Sequence, residues 1–381
     1  MQQLRRGIGP VALALGVCTA WAPRCSAFLS VDEQNATSLF RYFNDSGHVL
    51  VRSLMGDYAL KLQNDAALTL HWNNERVTVP AIRAAAGSQE AVDAITTASR
   101  PISGNAFQDF IKVRNEMEGS LDRGPAGVDY YYSTETDYLA QQLGGHFNHD
   151  FSDEQLNLSL GASYGWDAIH PLANDRSVAV DGTKNTMHWN AVATRVMTPT
   201  TMLRVGVELN LVDGLQHNPY RNVYAGGTNV PERHPDHRQR RDAFLKLNQY
   251  LMNKSSMKLS YRYYNDDWGI SSHEVDSRLS QYVTPALSAE YEYRWYTQTS
   301  AWFYREQYLT TSGIDGFQTG DYRMGPLSSH LFGASLNLDL ATLAAQHPAL
   351  GHFGVRVEYQ RYFNSNNYSA NILETGLDFR F

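Results

Sequence analysis

Cysteine is almost absent: the 381 residues hold two, Cys18 and Cys25, both near the start. The rest of the chain therefore has no disulfide framework, no thiol nucleophile and no cysteine metal site. Long hydrophobic runs are missing too. A membrane helix needs roughly 18 or more apolar residues in a row, and none occurs beyond the N-terminal stretch. Positive charge is not in excess, since 32 Lys and Arg face 39 Asp and Glu for a net charge of −7. With no basic tail, a nucleic-acid partner is not expected.

The chain is instead rich in tyrosine, with 23 Tyr beside 15 Phe and 7 Trp. So many aromatics speak against intrinsic disorder. Its start reads as an export signal. Arg5 and Arg6 precede the apolar stretch from Gly7 to Ala22, and Cys25-Ser26-Ala27 supplies small residues where a signal peptidase cuts. Cleavage after Ala27 is expected, with residues 1–27 as signal peptide and 28–381 as one domain. The mature chain then carries no cysteine.

Period-2 alternation dominates that domain. Leu203, Val205, Val207, Leu209 and Leu211 oppose Arg204, Gly206, Glu208 and Asn210. Leu287, Ala289, Tyr291, Tyr293 and Trp295 oppose Ser288, Glu290, Glu292 and Arg294. The segments 156–166, 353–359 and 373–381 repeat the pattern. A soluble sandwich also alternates. Three features favour a membrane barrel: apolar faces that end in aromatics, segments long enough to cross a bilayer when tilted, and polar faces of Gly, Ser and paired charges.

The links support this reading. Short ones fall at 63–65, 123–127, 152–154, 198–199, 253–255 and 284–285, and long ones near 76–108, 168–184, 214–241 and 299–326. Short periplasmic turns and longer outside loops are the barrel pattern. The expected fold is an all-β closed antiparallel transmembrane barrel of about 16 strands, with 14 as the alternative. Every short turn is expected on the periplasmic side, and Ala341 to Gly351 as a longer periplasmic link with a helical turn. A C-terminal aromatic, Phe381, suits recognition by the barrel-assembly machinery.

Several stretches resemble a bacterial outer-membrane barrel family known only as a domain of unknown function (family 3570). They are residues 91–99, Asn218-Pro219-Tyr220-Arg221, Pro231-Glu232-Arg233-His234-Pro235-Asp236, residues 261–270, residues 296–304, Asp321-Tyr322-Arg323 and Ser328-Ser329-His330. The resemblance implies an outer-membrane barrel and no established substrate. Relatives encoded near periplasmic redox or flavin-attachment proteins make an exported redox assembly a candidate partner.

Charges on a lipid face cost about 2–4 kcal/mol near the midplane, so alternation sends them inward. Arg114, Glu116, Arg204, Glu208, Arg262, Asp276, Arg278, Glu290, Glu292, Arg294, Arg356 and Glu358 are the candidate lumen lining, with Lys112, Glu118 and Glu274 beside them. They could select solutes in a pore or brace the barrel as an ion-pair network; mixed signs leave both readings open. A basic outside loop from His217 to Arg241 contains Arg221, Arg233, His234 and His237. It could meet lipopolysaccharide phosphates or line the pore mouth. His234 and His237 suit a metal, but Pro235 breaks the helix that would align them, so no metal site is expected. The Asn-Pro-Tyr-Arg and Pro-Glu-Arg stretches read as loop anchors. Ser271 with His273, and Ser328 with His330, share strand faces as a barrel hydrolase would need, but no third group is identifiable. Residues 81–99 are a candidate lumen constriction.

No catalytic residue and no cofactor is therefore expected. The leading function is a porin-like channel for a small polar solute, or a scaffold of an exported redox assembly. An outer-membrane Ser/His hydrolase and a non-conducting structural or adhesion barrel are the alternatives.

Overall fold

A computed structural model describes residues 31–62, 65–79, 110–151, 155–171, 181–219, 221–343 and 352–380. The expected signal peptide, the candidate constriction at 81–99 and Phe381 lie outside these residues.

The strands, in chain order, are β1 (Val31–Asp45), β2 (Leu50–Leu62), β3 (Ala66–Val79), β4 (Phe110–Arg123), β5 (Ala126–Thr134), β6 (Tyr138–Phe151), β7 (Leu156–Ile169), β8 (Gly182–Thr198) and β9 (Thr201–Gly214). A loop hairpin follows, β10 (Asn222–Ala225) with β11 (Thr228–Pro231). Then come β12 (His237–Leu251), β13 (Ser255–Asp266), β14 (Ser271–Tyr282), β15 (Leu287–Gln298), β16 (Leu327–Asp339), β17 (Phe353–Asn364) and β18 (Ser369–Arg380). All but β10 and β11 form one closed antiparallel barrel of sixteen strands. Closure is made by β1 against β18, from Asn35 opposite Arg380 to Asp45 opposite Ala370.

The alternation decides which face points where. Val207 is 54% exposed on the outer wall, and Leu160, Tyr291, Leu336 and Leu377 face out likewise. Water does not tolerate so continuous an apolar belt, whereas lipid does. The outer wall is thus a membrane-facing surface, and the architecture is that of an outer-membrane β-barrel. Aromatic clusters mark both rims. Tyr293, His330, Phe332 and Phe363 stack at one end, and Phe353 meets Phe379 at the other.

Packing also explains the one buried inward aromatic. Phe244 on β12 is 6% exposed because its cross-strand neighbour on β9 is Gly206. A Cβ at position 206 would lie 2.3 Å from the Phe244 ring.

The two ends differ, though less simply than the sequence suggests. One end, the turn end, is closed by the brief links 63–65, 124–125, 152–155, 199–200, 252–254 and 283–286, plus the longer 340–352. Within that last link, Leu340–Leu343 form a 3-10 helix, matching the expected helical turn as far as the described residues reach. The opposite, loop end carries 80–109, 170–181, 215–236 and 299–326. It also carries four short turns, at 46–49, 135–137, 267–270 and 365–368. The expectation that every short turn lies on the periplasmic side is corrected here. Strand pairs need only a tight connection, and either end of the barrel can supply one.

Candidate functional site

The inner wall is the first candidate. All twelve expected lining residues face the lumen, on strands whose apolar neighbours face out. They do not form one uniform lining. From β14 to β17 they form a connected belt. The Arg278 guanidinium donates to Glu292 at 3.0 Å and to Asp276 at 3.3 Å. Arg294 donates to Asp276 at 3.1 Å and Glu292 at 3.0 Å. The Gln360 amide continues the belt, donating to Glu292 and to Glu358, and Glu358 is held by Arg356. Glu290 accepts from the Ser280 hydroxyl at 2.6 Å. On β9, β12 and β13, Arg262 lies 3.6 Å from Glu208 and 3.7 Å from Asp242. On β3 and β4, Arg114 sits 3.3 Å from Glu116 and 3.6 Å from Glu75. The bracing and solvating roles thus coexist on one wall, since the arginines of the belt keep about a third of their side chains exposed.

A second set of pairs escaped the sequence reading because the partners come together only through strand register and a tight turn, which no local pattern records. Buried Lys112 pairs with Glu135 at 2.6 Å. Lys184 pairs with Asp167 at 2.8 Å and also donates to the Tyr138 hydroxyl. With Arg114 and Tyr131, the latter group lines a polar cavity of about 390 Å3.

The second candidate stands on the loop end. The links 215–236, 267–270 and 299–326 pack into a single cap. Trp268, Ile270, Ala301 and Phe303 form its apolar core, and Val223, Ala225 and Tyr308 a smaller one beside it. Next to these lies a buried ionic network. Arg221 reaches Glu232 at 3.3 Å and Asp321 at 3.0 Å, and all three side chains are essentially solvent-free. Glu232 also accepts from the Thr319 hydroxyl at 2.5 Å and from the Asn218 backbone N–H, and lies 3.3 Å from His234. Burial alone would raise the Glu232 pKa, but His234, Arg221 and Thr319 outweigh it and hold it at about 2. Asp321 is likewise held at about 2 against burial, by Arg323 and Arg221. Tyr322 meets Tyr368, so the cap extends along the rim as far as the turn between β17 and β18.

The four expected outside-loop residues divide. Arg221 and His234 are inside the network, whereas Arg233 is exposed over the Phe317 ring. His237 is not in a loop at all, because β12 begins there. It pairs with Asp213 of β9, 2.7 Å away, and extends the strand by five residues beyond the expected start at 242. Within that extension Arg238 is held by Asp266 at 2.5 Å and lies 4.2 Å over the Trp268 ring. His234 points into the cap and His237 out of it, so the two imidazoles diverge.

The Ser/His pairs sit on the outer wall near the loop end. His273 meets the Tyr261 hydroxyl at 2.8 Å, and His330 meets the Tyr293 hydroxyl at 3.1 Å. Both rings are packed into the aromatic rim.

Residues 27–375 match the family described as a protein of unknown function (DUF3570). The chain belongs to that family. No curated protein matches it. Among solved structures it is similar to the Pseudomonas aeruginosa protein OccK11 (OpdR), at 12% identity and a TM-score of 0.43, covering 92% of this chain and 95% of that one. Against OccAB3 of Acinetobacter baumannii the values are 9% and 0.39, with 92% and 98% covered. Against the siderophore receptor PirA of Acinetobacter baumannii they are 11% and 0.45, and the 87% of this chain that aligns spans about half of the receptor, 52%.

Five of the seven stretches through which the sequence resembles the family converge on the cap, while Ser328-Ser329-His330 lies on β16 of the wall. Asn218 and Arg221, Glu232 and His234, Trp268 and Ile270, Ala301 and Phe303, and Asp321 with Arg323 come from five separate motifs, and all lie in or against its core and network. As loop anchors, the Asn-Pro-Tyr-Arg and Pro-Glu-Arg stretches act together rather than singly. Residues 91–99 lie outside the described residues.

Proposed function

We propose that this barrel is a channel passing small polar solutes across the outer membrane, with the cap holding the outer rim in a fixed shape. The supporting observation is the inner wall. Its arginines Arg278, Arg294 and Arg356 face inward, yet each keeps about a third of its side chain open to water, which a barrel braced solely by ion pairs would not need. A rigid cap suits a channel because a floppy loop of that length would sample and block the mouth at random. Arg233 and Arg241, exposed at the same rim, suit contact with lipopolysaccharide phosphates.

Conductance of the full chain in planar lipid bilayers tests the reading. Discrete, salt-dependent steps are expected. A barrel that migrates as folded and gives no step in any salt overturns the channel and leaves the scaffold or structural barrel.

A further inference from the structure

Most charges on the inner wall have partners, but several cations do not. Among the described residues, Arg204 on β9, Lys246 on β12 and Lys258 on β13 have no carboxylate within ion-pair distance, and all three are exposed to the lumen. Their cross-strand neighbours make matters worse. Arg204 stands directly opposite Lys246, and Lys258 directly opposite Arg278. Like charges in that position are destabilising. The other cross-strand neighbours of the three are Thr194, Ser260 and Asn248, which hydrogen-bond but do not neutralise.

Two of the three, Lys246 and Lys258, also line a cavity, and Arg204 stands next to it, opposite Lys246. A cavity of about 340 Å3 opens on Lys246, Lys258, Arg262 and Arg278, with Asn248 and Ser260 as further donors. That is the lower end of the size that small-molecule sites occupy. Glu274 and Asp276 border it too, but Asp276 is already bound to Arg278 and Arg294. Opposite in the ring, the sign reverses. β13 and β3 are eight strands apart among sixteen. On β2 to β5 the inward residues near the turn end include Asp57, Glu118, Asp122 and Asp129. Asp57 and Asp122 are each joined to a histidine, His71 at 2.6 Å and His146 at 2.8 Å. The lumen near its turn end is therefore positive on one side and negative on the other. Low-dielectric walls focus such a field.

We infer that Arg204, Lys246 and Lys258 form a binding site in the lumen for the carboxylate or phosphate group of a small organic anion. The inference deepens the channel reading and names its solute class. An oxyanion arriving there relieves the repulsion between Arg204 and Lys246. It gains charge-assisted hydrogen bonds from both.

The test uses the full chain in detergent and in planar bilayers, with succinate and inorganic phosphate as probes and glycerol as the neutral control. Titration calorimetry in detergent measures binding without requiring conduction. Succinate, phosphate or both bind, and glycerol does not; the tighter of the two assigns the group. The triple variant Arg204→Gln, Lys246→Gln, Lys258→Gln weakens that binding at least about tenfold and shifts the reversal potential toward cations. Glu118→Gln on the opposite wall leaves binding in place. The triple variant melts no lower than the parent, because it removes repulsion rather than ion pairs. Should it fail to fold, Lys246→Gln alone gives the same sign of change. If neither anion binds, or binding survives the triple substitution, the site is overturned even where the barrel conducts. If the barrel does not conduct but the anion binds at these residues, the site stands and the channel reading fails.

Discussion

A single carboxylate carries much of the cap. Glu232 ties Arg221, Thr319, His234 and the Asn218 backbone together from two separate loops. Removing one partner of a buried pair costs about 3–5 kcal/mol, because the other charge stays behind without compensation. Glu232→Gln should therefore loosen the cap while the barrel remains closed. Hydrogen exchange is expected to rise in 215–236 and 299–326 and to stay unchanged in β4 to β8. The pH dependence follows from the same acid and from Asp321. Both have folded values of about 2, below their ordinary 4.5 and 3.8. The stability they contribute is complete above those ordinary values and is lost as pH falls through them toward about 2. Protection of the cap amides, relative to their intrinsic exchange rate at each pH, should match at pH 7 and pH 5 and fall between about pH 4 and pH 2; equal protection across that lower window would contradict the network. Arg238→Lys is a sharper substitution than it looks. A lysine cannot keep both the paired contact to Asp266 and the planar stack on Trp268.

At the scale of one strand, inward and outward positions obey different rules although they are adjacent. Val207 faces lipid and Glu208 faces the lumen, one residue apart on β9. Val207→Arg should cost about 2–4 kcal/mol when the barrel folds into vesicles, as any cation placed on the lipid face near the midplane does. Glu208→Gln should cost well under half as much, since its partner Arg262 is 42% exposed and keeps Asp242. Urea titrations in lipid vesicles measure both. Gly206→Leu belongs to the same scale: the added side chain meets Phe244 and must displace it into the lumen. The strands were legible in the sequence because each writes its face in alternate residues. Even 36–61 and 127–151, where the alternation is poor, pair in full register with their neighbours. The start of β12 was not legible. His237 and Arg238 look like part of a basic loop until Asp213 and Asp266 are seen to hold them in line.

For the whole molecule, closure of β1 on β18 leaves no free edge, and closed barrels of this kind resist unfolding in detergent until heated. Unheated protein should run faster on a denaturing gel than boiled protein. A single position at all temperatures would contradict the closed barrel. Loss of the cap in Glu232→Gln should leave this shift intact, since no strand pairing of the barrel runs through Glu232. The lumen was half legible. Alternation sent twelve named charges inward, but it could not say which would find partners. Arg278, Arg294 and Arg356 are bound by acids, whereas Arg204 is not, and nothing in the sequence around Arg204 distinguishes it.

Sequence alone determined the barrel class, the lipid-facing side and the turning of charge inside, because a bilayer imposes a period of two on anything that crosses it as a sheet; closure fixed the count at sixteen rather than fourteen. It also marked the motifs that build the cap, without showing that they meet. Tertiary structure decided what meets what. Glu232 and Thr319 are 87 positions apart in the chain and 2.5 Å apart in space, and Arg204 faces Lys246 only because β9 and β12 are neighbours in the ring. Pairing across strands and loops depends on register and closure, and no local pattern of residues records either one. The near-absence of cysteine fits this division: the loops are held by a buried ionic network and an aromatic core instead of by covalent links.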